Sequence, residues 1–256
     1  ELMEPNRHPG ESACSPLVLF ALLPSGPLSR SSNFRRFEMK KVAVILSGCG
    51  VNDGAEIHES VLTLLALDRA GASVVFAAPD VQQAHVVDHQ EGAPVDGATR
   101  NVRSESARIA RGPVQDVADL DPAEFDAVIL PGGYGAAKNL STFAFDGTDF
   151  EVNSALATFL RSFHELKRPI GLICIAPAIG AHLFGREGLR YTIGTDQETA
   201  NALAPHGGEH VDCSVEDIIV DEKLNIVTTP AYMLAQRIGE AETGINKLVT
   251  EVLARA

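Results

Sequence analysis

From residue 39 onward the chain alternates regularly between two kinds of apolar pattern. KVAVIL at 41–46 is a short β-rich run; a glycine-rich loop follows, and then Ile57, Val61, Leu64 and Leu65 recur at the spacing of one helix face. SVVFAA at 73–78 predicts a second strand behind the helix-stopping Gly71, and DAVILPGG at 126–133 a third that ends in a glycine pair. The segment 151–166 carries Val152, Leu156, Phe159, Leu160 and Phe163 at helical spacing. PIGLIC at 169–174 predicts a fourth strand and 176–184 a helix; 191–194 reads as a short strand and 196–204 as a further helix. DIIVDEKLNIVTT at 217–229 reads as two strands joined by a polar turn, before a closing helix from about 231 to 255. Only 80–120 shows no sustained period.

Strands alternating with helices predict an α/β fold, a mostly parallel sheet with helices on both faces, formed by a single domain over 39–256. Functional groups in such sheets gather beyond the carboxyl ends of the strands. Residues 1–38 differ in kind: Pro, Ser, Gly and Arg are scattered through them, and PLVLFALL is broken off by Pro24 and Pro27. They are expected to be a disordered extension.

Composition narrows the picture. The chain of 256 residues is 45% hydrophobic but only 5% aromatic, with no Trp, so the core must rest on Ala, Val, Ile and Leu, as suits a sheet covered on both sides. Residues 1–38 balance four acids against four arginines, so the whole net charge of −13 lies in 39–256. Such a domain repels nucleic acid and anionic membrane. No apolar run approaches the roughly 18 residues that cross a bilayer. The four cysteines, at 14, 49, 174 and 213, form neither a CxxC pair nor zinc spacing. Disulfides are therefore not expected, and a reducing compartment, the cytoplasm, is.

Cys174 lies where the strand 169–174 meets a helix whose first turn accommodates Pro177. A strand–turn–helix elbow lifts a thiol off the sheet, and the helix amino end, with its free N–H groups, favours the thiolate. The alternative is a buried cysteine closing a core strand. Cys49, in SGCGVNDG, has no helix directly beneath it and ranks behind; Cys14 and Cys213 have no supporting context. In DGAEIHE (53–59), Asp53 is expected to cap the helix with Glu56 three residues on, a capping box. Glu59 lies one turn inside, off the Ile57–Val61–Leu64 stripe, and is either a solvated glutamate or a carboxyl that moves protons beside the thiol. His58 is a second candidate in the same turn. His85 and His89 are four apart without a carboxylate-rich helix around them, so no metal is expected. Gly132 and Gly133, with the N–H that follows Cys174, could form an oxyanion hole; Glu56, Asn139 and Ile175 complete the expected substrate-binding set. GCGVNDG lacks both the dinucleotide fingerprint and the P-loop Lys-Ser/Thr, so no nucleotide or other cofactor is expected.

Taken together, SGCGVNDGAEIHE (47–59), TRNVRSESARIARG (99–112), PGGYGAAKNLS (131–141), GLICIAPA (171–178) and IVTTPAYMLAQ (226–236) resemble the enhancing-lycopene-biosynthesis family (ElbB, isoprenoid-biosynthesis glyoxalases). That family sits in the class I glutamine-amidotransferase-like superfamily, beside the PfpI-type proteases and the Parkinson's-disease deglycase. The resemblance covers the chain from Met39 to its end. It implies a flavodoxin-like sandwich, Cys174 as nucleophile, a partner acid that falls on Glu59 with Glu56 as alternative, and a homodimer. It also implies conversion of glyoxal or another small 2-oxoaldehyde to a 2-hydroxy acid through a cysteine hemithioacetal, without glutathione or metal. The departures are Ile175, where amidotransferases and PfpI-like proteases carry His directly after the nucleophile, and IGTD at 193–196, where the deglycase branch has a later histidine. They argue against amidotransferase and protease chemistry. The rival from another class is a non-enzymatic redox sensor or regulator using the same thiol; deglycation of protein adducts would use the same site on a different substrate.

Overall fold

The computed structural model describes residues 39–256, so the expected extension at 1–38 lies outside the described residues. In chain order the elements are β1 (Lys41–Ile45), α1 (Ile57–Arg69), β2 (Ser73–Ala78), β3 (Val87–Asp88), β4 (Ala93–Pro94), α2 (Val102–Ala110), β5 (Gln115–Asp116) and β6 (Ala127–Leu130). There follow α3 (Tyr134–Lys138), α4 (Phe143–Asp146), α5 (Ser154–Glu165), β7 (Ile170–Ile173), α6 (Pro177–Phe184), β8 (Arg190–Tyr191), α7 (Gln197–Leu203), β9 (Glu209–His210), β10 (Ile219–Asp221), β11 (Ile226–Thr229) and α8 (Ile238–Arg255).

One sheet runs in the order β10-β11-β7-β6-β1-β2-β5, parallel throughout except where the β10–β11 hairpin closes one edge. The chain winds from β1 outward through β2 to β5, then returns to β6 on the other side, so β1 and β6 flank the switch point where crossovers diverge and leave a crevice. Alternation along each strand splits the core into two layers. Ala43, Ile45, Val128, Leu130 and Leu172 pack with the phenylalanines of α5 and with α6; Val42, Val44, Ile129, Ile173 and Val227 pack under α1 and α8. This is the α/β flavodoxin-like arrangement, with the expected aliphatic core.

Two parts of the sequence reading need correction. The unassigned stretch 80–120 holds a β-ribbon (β3–β4), α2 and the edge strand β5, elements too short to show a period of their own. More consequentially, α1 is turned the other way. Ile57, Val61 and Leu65 are exposed (42, 47 and 37%), whereas Glu59, Ser60, Leu62, Thr63, Ala66 and Leu67 face inward. Nor does Asp53 cap this helix: Glu56 does, its own carboxylate accepting the Glu59 N–H at 2.6 Å, while the Asp53 carboxylate accepts the N–H of Val87 at 2.7 Å.

Candidate active site

At the carboxyl ends of β1, β6, β7 and β11 four turns converge. The one after β7 carries Cys174, whose φ of +63° lies in the left-handed region that a non-glycine residue adopts only at a cost. Its N–H still reaches the carbonyl of Thr229 on β11, at 2.9 Å. The left-handed step at Cys174 breaks the strand direction, and Pro177 opens α6 three residues later. The thiol is largely buried, 7% of the residue remaining exposed, but it lines a cavity of about 310 Å³.

Glu59, fully buried on the inner face of α1, lies beside that thiol: a Cβ on Gly132 would touch both, and each group's ionisation shifts the other's. Two backbone donors hold its carboxyl: the Gly132 N–H reaches Oε2 at 2.9 Å and the Tyr232 N–H reaches Oε1 at 3.1 Å. These bonds favour the ionised form, as does the contact with Cys174. Burial and the nearby negative charge of Glu56 outweigh them and push the Glu59 carboxyl from 4.5 up to about 7. The same burial, together with the charge of Glu59, pushes the Cys174 thiol well up, against the pull of the Gly133 and Ile175 N–H groups. This corrects the expectation that the start of α6 would dominate. Desolvation of the sulfur and a competing carboxylate outweigh it, and the two acids share room for one negative charge.

The glycines after β6 serve close approach. A Cβ on Gly132 would stand 2.5 Å from the Cβ of Cys174 and 2.8 Å from Glu59 Oε2; one on Gly133 (φ +92°) would stand 2.4 Å from the Glu56 nitrogen. Gly132 is therefore not free as an oxyanion donor, its N–H being bound to Glu59, and its carbonyl accepts the Glu56 N–H at 2.9 Å. The N–H groups left near the sulfur are those of Gly133 and Ile175.

Of the other expected site residues, Glu56 and Ile175 line the cavity. Asn139 does not. Its amide donates to the carbonyls of Ser47 and Asp53, both at 2.8 Å, and accepts from the Ala84 N–H at 2.9 Å, clasping the loops after β1 and β2 together behind the site. His58 is not in the cavity lining: it is exposed, and its Nδ1 lies 2.8 Å from the Tyr232 hydroxyl. Among the described residues no histidine lines the cavity and no group of three metal-ligating side chains occurs. His89 instead takes up Val87 and Asn52 of the neighbouring loops.

Tyr232 is the participant that sequence reasoning passed over, although IVTTPAYMLAQ stood among the motifs. It follows Ala231, a buried alanine at φ +41°, at the end of β11. The strained step there turns the Tyr232 N–H onto Glu59 and its ring into the cavity. The only signal in sequence was the break from β-branched residues to Pro-Ala.

The DJ-1/PfpI family profile matches residues 40–232. The human glutamine amidotransferase-like class 1 domain-containing protein 3, mitochondrial, is 47% identical over 83% of this chain and 82% of its own length. The rat ES1 protein homolog, mitochondrial, is 44% identical over 93% of this chain and 95% of its own. A crystal structure of an isoprenoid biosynthesis protein with an amidotransferase-like domain from Ehrlichia chaffeensis superposes with a TM-score of 0.79 at 37% identity, covering 84% of this chain and 99% of that one. Both relatives are named as mitochondrial, which overturns the expectation of a cytoplasmic protein. A profile spanning most of the described domain, and relatives this similar along nearly their whole length, lead to one conclusion: the chain belongs to the DJ-1/PfpI family.

Proposed function

We propose that the chain is a cysteine-dependent, glutathione-independent glyoxalase of the enhancing-lycopene-biosynthesis type, acting in mitochondria. One observation carries the reading: a thiol on a strained elbow lies beside a fully buried carboxyl whose pKa burial raises to about 7. Such a carboxyl can both take and return a proton, as the conversion of a 2-oxoaldehyde to a 2-hydroxy acid requires.

Glu59 accepts the thiol proton as the Cys174 sulfur attacks the aldehyde carbon, and the new alkoxide takes that proton to give a hemithioacetal. Glu59 then removes the hydrogen from that carbon and delivers it to the neighbouring carbonyl carbon through an enediol, leaving a 2-hydroxyacyl thioester on sulfur. Water cleaves the thioester, releasing the 2-hydroxy acid and the free thiol. The sequence is an internal redox exchange between two adjacent carbons plus one water, so it draws on no outside oxidant. Gly133 and Ile175 supply the N–H groups that stabilise oxygen charge. If purified Cys174→Ala protein turns over glyoxal as the native chain does, this mechanism is wrong.

The redox-sensor reading draws its support from the cavity lining, which holds no histidine among the described residues. Selective sulfinic-acid formation at Cys174 with negligible turnover, read by mass spectrometry, would favour it. We further propose a homodimer: the exposed stripe Ile57–Val61–Leu65 on α1 supports burial against a second copy. Val61→Glu should shift the sedimentation mass toward the monomer, and an unchanged mass would place any interface elsewhere.

A further inference from the structure

The cavity beside Cys174 is larger than a minimal dicarbonyl requires. At about 310 Å³ it has room for roughly ten waters at about 30 Å³ each, whereas glyoxal is the smallest 2-oxoaldehyde. Its walls are largely apolar, formed by Val51, Tyr134, Ala137, Phe143, Ala144 and Met233. Among the described residues its charged lining is wholly acidic: Glu56 and Asp196 line it, and no Lys, Arg or His does.

The two acids are not equivalent. Asp196 is exposed and committed to the start of α7, where its Oδ1 accepts the N–H groups of Glu198 and Thr199 and its Oδ2 the Thr199 hydroxyl. Glu56 is more than nine-tenths buried, at 8% exposure. Its Oε2 is taken by the Glu59 N–H, and its Oε1 has no hydrogen-bond partner among the described residues. A carboxylate oxygen that no protein donor occupies and that opens on the cavity is free to accept a charged donor from a ligand. A ligand carboxylate or phosphate would instead place a second anion against Glu56 with no cation to offset it.

We propose that this cavity selects substrates bearing a protonated amine or another organic cation on a short apolar stem, with Glu56 as the specificity-determining residue, and that it rejects anionic analogues. The inference rests on the reading of Cys174 as the reacting thiol and narrows its substrate class.

The test measures modification of Cys174 by methanethiosulfonates of one size and different charge: trimethylammonioethyl, methyl and sulfonatoethyl. Rates are followed by peptide mass spectrometry, with Cys49 and Cys213 resolved separately, and are divided by the rates with 2-mercaptoethanol. An ionic strength of about 1 M shortens the screening length to about 3 Å, which removes the general pull of an acidic protein. The expected cation-to-anion ratio at Cys174 exceeds that of the free thiol by about tenfold, roughly the 1.4 kcal/mol of one decade. Glu56→Gln, which keeps an acceptor for the Glu59 N–H, should bring it back to the free-thiol value. A native ratio equal to that of the free thiol, or one unchanged in Glu56→Gln, overturns the proposal. In the native chain alone, butylammonium should slow modification by the methyl reagent and butyrate should not; absent, equal or reversed protection also overturns it. Thiosulfonate labelling needs no turnover. A preserved ratio without oxoaldehyde conversion would refute the glyoxalase reading alone, and conversion without charge selection would refute this one alone.

Discussion

Replacing Glu59 with Gln isolates the energetic cost of the buried carboxylate. In the native fold this carboxyl titrates at about 7 instead of 4.5, chiefly because burial and then the charge of Glu56 oppose its ionisation. Between those values the folded chain keeps a proton that the unfolded chain has released, so stability falls as pH rises through the window. At about 1.4 kcal/mol per pH unit, the loss between about pH 4 and pH 8 amounts to about 3 kcal/mol. Gln has no proton to lose. Its amide must, however, present an NH₂ where Gly132 or Tyr232 already donates, a cost of about 1–3 kcal/mol that is the same at every pH. Urea unfolding of both proteins across this range should therefore show the stability gap moving by about 3 kcal/mol in favour of the variant, with unchanged m-values. His182 and His210, both held below their ordinary values chiefly by burial, titrate in parent and variant alike and cancel in the difference. The variant should also alkylate at Cys174 with a lower apparent pKa, because the Glu59 charge that opposes the thiolate is gone. Turnover should drop by about 10²–10⁴-fold. A gap constant to within about 0.5 kcal/mol would mean that Glu59 ionises normally, and the proton-transfer argument would fail with it.

Three further outcomes follow from the same geometry. Asn139→Ala removes three buried or half-buried bonds among the loops, so it should cost about 3 kcal/mol and lower Tm by roughly 6–12 °C in a calorimetric scan; a shift under about 2 °C would show that the clasp is idle. Gly132→Ala drives a Cβ to within 2.5 Å of the Cys174 Cβ, with Glu59 Oε2 at 2.8 Å and the Ile173 oxygen at 2.9 Å; the first and last are fixed to the backbone and cannot swing aside. It should cost about 1–3 kcal/mol and about 10²-fold in turnover, while native-like turnover would mean the site tolerates displacement. His58→Ala removes only the contact with the Tyr232 hydroxyl at the surface, so kcat should change by less than about fivefold; a loss of about 10²-fold would give the imidazole a part in proton transfer.

What could be read in sequence was whatever depends on local pattern. β-branched runs punctuated by Gly and Pro determined the order of the main strands and helices, and that order determined the parallel sheet. The position of Cys174 between a strand and Pro177 likewise marked the elbow, since both signals lie within a few residues. The tertiary structure decided everything that depends on what a residue faces. The apolar spacing of α1 suggested that Ile57, Val61 and Leu65 were core, but the crevice at the switch point takes the opposite face, where Glu59, Ser60 and Thr63 find partners or enclosure. Tyr232 lies 173 residues from Glu59 and reaches it only because β11 ends beside β7. The electrostatics of the thiol were decided there as well. The helix start near Cys174 is a local feature that favours charge, whereas desolvation and the neighbouring carboxylate arise only on folding, and at close range around a buried sulfur they prevail.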